Sequence, residues 1–128
     1  MVTAMQHARQ TLGASLRKFT DGLGRYDAVK LAQALDWEQR EIARFLDKDP
    51  SAISKNPASP GYQEPLARLV ALFERLIELS GGDGAAAVAW MRTPILALDN
   101  ASPKEFLLAG ELEVIENLVG EYESGFAL

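Results

Sequence analysis

YQEPLARLVALFERLIEL, residues 62–79, decides the fold. Its apolar positions Leu66, Leu69, Val70, Phe73, Leu76 and Ile77 recur three and four residues apart, which winds them onto one wide stripe of an α-helix. Glu64 and Arg68 are spaced to pair one turn apart on the outer face. Working outward toward the C-terminus, Ser80-Gly81-Gly82-Asp83-Gly84 ends this helix, because glycine takes the left-handed conformation that closes one. Asp83 is then placed to cap an alanine-rich helix that runs to about Arg92, before Pro94. The same glycines imitate a phosphate cradle but lack its lysine and preceding strand. Ser102-Pro103-Lys104-Glu105 is a capping box with proline at the first helical position, opening a short helix that Gly110 closes. Glu111 to Val119 turns Leu112, Ile115, Leu118 and Val119 inward, with Glu111 and Glu113 near the positive end of the helix.

Toward the N-terminus, Asn56 to Gly61 contains two prolines, a serine and a glycine and reads as a loop at an internal boundary. Before it, Glu38 to Leu46 offers Ile42, Phe45 and Leu46 to a core, Asp47-Lys48-Asp49-Pro50 breaks the helix, and Pro50 to Lys55 supplies one more turn or two. Asp27 caps a helix over 28–35 with Val29, Leu31, Ala32 and Leu35 as its apolar face. Asp21-Gly22-Leu23-Gly24 stops an amphipathic helix over 4–20, marked by Met5, Ala8, Leu12, Leu16 and Phe19. No stretch alternates with a period of two and nothing repeats, so the expected fold is all-α, a small multi-helix bundle. Its expected organisation is an N-terminal helix and turn over 1–24, a helix–turn–helix-like region over 25–61, and a helical domain with a C-terminal tail over 62–128.

Composition narrows the chemistry. At 128 residues, 48% hydrophobic and 24% charged, the chain has the size and mix of one folded domain. It has no cysteine, which excludes disulfides, thiolate catalysis and sulfur-ligated metals, and its one histidine, His7, excludes a multi-histidine metal site. No catalytic constellation can be assembled, so the chain reads as a non-enzyme that needs no metal and no cofactor. The longest run of apolar side chains, Ala85 to Met91, is seven residues, far below the roughly 20 that span a bilayer. With an N-terminus unlike a secretion signal, the expected location is cytoplasmic, away from membranes. The net charge of −5 is uneven: residues 1–78 hold 11 basic and 10 acidic side chains, residues 79–128 hold 2 and 8. The acidic half repels phosphates and suits a basic protein partner.

Two stretches carry functional readings. Gln39 to Leu46, then Asp47, then Ala52-Ile53-Ser54-Lys55 has the spacing of a DNA-binding helix–turn–helix. Small Ala43 lets the helices approach, Ile42, Leu46 and Ile53 clamp them, and Ser51, Ser54, Lys55 and Asn56 face outward. With Arg44 these are the candidate DNA-contacting residues. Asp47 stands where glycine usually makes the turn, a conformation aspartate tolerates. Four basic side chains (Arg40, Arg44, Lys48, Lys55) meet four acidic ones (Glu38, Glu41, Asp47, Asp49) across 37–60, so a single copy should hold DNA weakly and productive binding calls for a homodimer or a larger assembly. The apolar helix over 4–20 could supply such an interface.

The second stretch is Ala89-Trp90-Met91-Arg92-Thr93-Pro94, then Leu96 and Leu98, then Ser102-Pro103-Lys104-Glu105-Phe106-Leu107 and Gly110-Glu111. In that order it resembles the Xre/MbcA/ParS-type antitoxin family, over about residues 60–128 and, through the degenerate helix–turn–helix, back to about 25. Ile95 stands where the family often has asparagine, and Asp99-Asn100-Ala101 replaces a glycine-containing turn. The resemblance implies an MbcA-like antitoxin of a type II toxin–antitoxin pair, whose usual partner is a RES-domain toxin that degrades NAD. It also implies that a C-terminal segment covers the toxin's active-site entrance, a role carried here to Tyr122, Phe126 and Leu128 on a tail following the last helix. Arg92, Thr93 and Pro94 are expected to shape the docking surface, whereas Trp90, beside Ala86, Ala87 and Met91, reads as a core residue. The other reading is a stand-alone helix–turn–helix transcriptional regulator without a toxin, binding operator DNA in a salt-sensitive way.

Overall fold

The structure is a computed structural model that describes residues 19–125. It is all-α, with seven α-helices, two short 3₁₀ turns and no strand among the described residues. The chain forms two compact units, residues up to Glu74 and residues from Arg75 onward, and the division falls inside one continuous helix.

In the first unit a tight turn comes first. The Asp21 carboxylate accepts from the backbone N–H groups of Leu23 and Arg25, both at 2.9 Å, and an isolated bridge joins Thr20 to Tyr26. Phe19 and Thr20 therefore lie in a turn and a bridge rather than at the end of a helix, because hydrogen bonds across 20–26 take up the backbone groups that a last helical turn would use. The rest of the helix expected over 4–20, His7 included, lies outside the described residues. Helix α1, Ala28–Leu35, starts where Asp27 accepts from the Lys30 N–H at 3.0 Å and ends at Asp36, whose φ of 58° is left-handed. Helix α2, Gln39–Leu46, opens with a reciprocal capping box between Glu38 and Glu41 and ends at left-handed Asp47, φ 55°. Helix α3, Pro50–Lys55, is capped by Asp49. These three pack against one another around Leu31, Leu35, Ile42 and Ile53, all fully buried. Phe45 is only half-buried: it sits edge-on to Trp37, with ring centres 6.2 Å apart, and leaves the core to Ala43.

Helix α4, Gln63–Leu79, follows a 3₁₀ turn at Pro60–Tyr62. Leu66, Leu69, Val70, Phe73, Leu76 and Ile77 are buried as the spacing predicts, and Leu72 joins them. Its first residue fastens the unit. The Gln63 amide accepts from Tyr26 N–H at 2.8 Å and donates to the carbonyls of Tyr26, Ser59 and Ala58 at 2.9, 3.2 and 3.3 Å.

The second unit begins with the last turn of α4. Gly81 and Gly82, at φ 70° and 91°, turn the chain in the left-handed region, and Asp83 caps helix α5, Gly84–Met91, by accepting from Ala86 N–H at 3.1 Å. A 3₁₀ turn at Leu96–Leu98 leads to helix α6, Pro103–Leu108, whose Ser102–Glu105 capping box has both hydrogen bonds in place. Helix α7, Leu112–Glu123, buries Leu112, Ile115, Leu118 and Val119. It runs four residues beyond Val119, so Tyr122 lies within the helix and not on a tail.

Replacing Gln63 by alanine strands the Tyr26 amide and carbonyl, both partly buried, and is expected to cost about 2 kcal/mol. Urea unfolding followed by far-ultraviolet circular dichroism reads this as a lower midpoint, with α1 and α4 retained in the folded baseline.

Candidate functional site

Helix α5 decides where the second unit can bind. Its sequence, GAAAVAWM, has no polar side chain on any face, a composition that normally belongs to a fully buried helix. Only Ala87 and Met91 are buried. Ala85, Ala86 and Ala89 are exposed, and Val88 and Trp90 are half-buried. With alanine at the surface, a partner could approach the helix backbone closely.

Beside it lies an open groove of about 420 Å³, lined by Leu76, Leu79 and Ser80 at the end of α4, Ala86 and Trp90 of α5, and Tyr122 of α7. Trp90 is thus a rim residue rather than a core one. Met91 takes the interior position, and the indole meets the Tyr122 ring edge-on, centres 5.8 Å apart at 81°, a favoured geometry for two aromatic quadrupoles. Tyr122 is half-buried by this contact. Leu79, 45% exposed, adds to the apolar floor.

An ion pair holds the helix that carries Tyr122. Arg75 Nε donates to both Glu123 carboxylate oxygens at 3.1 Å, Nη2 donates to Oε1 at 2.6 Å, and Nη2 also reaches the Glu116 carbonyl at 3.4 Å. The guanidinium holds the Glu123 carboxyl below its ordinary value, and the carboxylate in turn raises Arg75.

The other expected docking residues are exposed just past α5: Arg92, Thr93 and Pro94, with Thr93 Oγ1 donating back to the Ala89 carbonyl at 2.8 Å. Phe126 and Leu128 lie outside the described residues. Leu79 and the exposed alanines were not singled out from the sequence. The signal was present in the missing polar face of 84–91, since any outward face of such a helix is apolar.

In the first unit, α2, the Asp47 turn and α3 have the arrangement read from the sequence. Ala43, Ile42, Leu46 and Ile53 are buried between the helices, and Arg44, Ser51, Ser54, Lys55 and Asn56 are exposed. Two of those five are engaged within the motif. Ser51 Oγ donates to the Asp49 carboxylate at 2.9 Å, and Ser54 Oγ bonds to Gln39 and to the Pro50 carbonyl. These Ser51 contacts, the backbone N–H first, hold Asp49 below its ordinary value. Arg40, Arg44 and Lys48 follow one another at four-residue spacing beside Asp47 and Asp49 around a shallow depression. Among the described residues no group of three or more His, Cys, Asp or Glu could hold a metal. No helix there is long and apolar enough to cross a membrane.

Comparison with known proteins gives a family match over most of the second unit and the end of the first. Residues 68–125 match the family described as the antitoxin Xre/MbcA/ParS C-terminal toxin-binding domain. The antitoxin Xre of Yersinia enterocolitica serotype O:8 / biotype 1B (strain NCTC 13174 / 8081) is 39% identical over 69 residues, which cover 52% of this chain and 46% of that protein. The chain thus spans about half the length of the relative it matches.

Glu123→Gln should remove about 0.5 kcal/mol at neutral pH, the modest value of a half-exposed pair. Because the folded-state pKa of Glu123 is lowered, its contribution is complete above the unfolded value of about 4.5 and is lost as pH falls through the folded one. Thermal unfolding of the two proteins is expected to differ at pH 7 and to converge in acid below that range.

Proposed function

We propose, from the match of residues 68–125 to the Xre/MbcA/ParS C-terminal toxin-binding domain, that this chain is the antitoxin of a type II toxin–antitoxin pair. It binds a RES-domain, NAD-degrading toxin through its second unit and occludes the toxin's active site. The observation that carries the reading is α5: a helix without a polar residue, three of whose alanines are exposed, leaves an apolar surface that a partner must cover. The Trp90–Tyr122 groove beside it supplies the aromatic anchors that dominate interface energies, and Phe126 and Leu128 extend the contact toward the toxin's active-site entrance. The acidic side chains of residues 79–128 favour a basic toxin surface.

Operator binding through Arg44, Ser51, Ser54, Lys55 and Asn56 would let the complex regulate its own operon. With net zero charge over 37–60, such binding requires several copies held together, as a homodimer or a larger toxin–antitoxin assembly. The stand-alone regulator has in its favour the buried α2–α3 packing around left-handed Asp47, which has the form of a helix–turn–helix.

The test is co-expression of the full chain with the protein of the neighbouring gene, with cellular NAD as a second readout. A stable complex and protection of NAD are expected. Ala86→Arg and Ala89→Arg, both at exposed positions, should weaken the complex at least tenfold with an unchanged melting temperature. Deleting residues 125–128 should leave the fold intact and release NAD degradation. If no complex forms and the isolated chain instead protects a palindromic DNA site, the regulator reading replaces this one.

A further inference from the structure

Nine residues of the second unit, Thr93 to Ala101, form a loop whose construction is out of proportion to a simple connection. Five backbone hydrogen bonds close it on itself: Ile95 N–H to Ala101 O, Leu98 N–H and Asn100 N–H to Ile95 O, Asp99 N–H to Leu96 O, and Ala101 N–H to Leu98 O, all within 2.9–3.0 Å. Its shape further requires Asp99 and Asn100 in succession at φ 55° and 68°. A side chain in that region is unfavourable by about 1 kcal/mol, less for Asp and Asn, and persists where the surroundings over-determine it. What the loop holds in place is a pair of leucines pointing opposite ways. Leu98 is 6% exposed and roots the loop in the unit, whereas Leu96 is 83% exposed, the highest of the large apolar residues among the described residues.

We propose that this loop is a preformed docking element that inserts Leu96 into an apolar pocket on a basic surface of the partner protein. The inference deepens the antitoxin reading and rests on it: the partner is the toxin. A solitary exposed leucine is ordinary on a protein surface; one presented by a closed, left-handed-kinked loop is already in its bound shape and loses little entropy on binding. Charge selects the occupant. The loop's one charged side chain is Asp99, exposed, and residues 79–128 carry 8 acidic against 2 basic side chains. A second copy of this unit would bring like charges together, whereas a cationic rim around an apolar pocket is complementary.

The experiment measures binding of the full-length chain to the co-expressed toxin by calorimetry, across a sodium chloride series, for the wild type, Leu96→Ser and Leu23→Ser. Leu23 is the control, 80% exposed on the turn of the first unit. Leu96→Ser is expected to lose at least tenfold in affinity and Leu23→Ser to bind as the wild type, with all three melting together. Wild-type affinity should fall as salt rises. If Leu96→Ser binds the toxin like the wild type, the docking loop is overturned while the antitoxin reading stands. If Leu96→Ser instead dissolves a homodimer seen by light scattering and leaves toxin binding alone, the occupant is a second copy and the proposal fails. If the wild type binds no toxin, the antitoxin reading and this inference fall together.

Discussion

Helix ends, more than helix centres, govern this fold, and aspartate is the residue that governs them. All seven aspartates in the chain sit at a helix end or a tight turn. Asp27, Asp49 and Asp83 accept from the otherwise unpaired first N–H groups of α1, α3 and α5. Asp36, Asp47 and Asp99 take the left-handed conformation that ends α1, α2 and the Leu96–Leu98 turn, and Asp21 organises the loop before α1. Helices of six to eight residues are too short to persist alone, so each depends on a cap at its start, a stop at its end and a buried stripe between them. A short carboxylate serves at both ends, because it reaches the backbone two or three residues on and tolerates positive φ.

That economy explains why so much could be read in advance. Asp27, Asp83 and Ser102 were each legible as caps, because the rule that places them is local: one side chain and the next three residues. The buried stripe of α4 was legible for a related reason, since its period repeats over five turns. The end of α7 was not. Its apolar pattern finishes at Val119 and Gly120 follows, yet the helix continues to Glu123, where Arg75, forty-eight residues earlier, pairs with the Glu123 carboxylate and donates to the Glu116 carbonyl. A long-range ion pair leaves no trace in local spacing. Trp90 fails for the opposite reason: with apolar neighbours on every side, 84–91 contains nothing to say which face turns inward, and the smaller Ala87 and unbranched Met91 took the interior.

The two candidate surfaces differ in how committed their groups already are. On α3 the serine hydroxyls are hydrogen-bonded to Asp49, Gln39 and Pro50, so a DNA phosphate or base edge would have to displace internal partners, and the local charge supplies no surplus attraction. Around α5 there is little polar to displace. Alanine methyls and two exposed leucines have no hydrogen bond to lose when covered.

A contact surface made of alanine has a consequence for selectivity. Methyl groups record the shape of what they touch and almost nothing of its charge or hydrogen-bonding pattern, so α5 would fit any smooth apolar counterpart of suitable curvature. On the proposed reading, discrimination between one counterpart and its homologues would fall where mismatch is penalised, on the acidic side chains of residues 79–128 and on the depth of a socket receiving Leu96. If several such pairs shared a cell, insulation between them would then change at those few positions while the alanine face stayed the same.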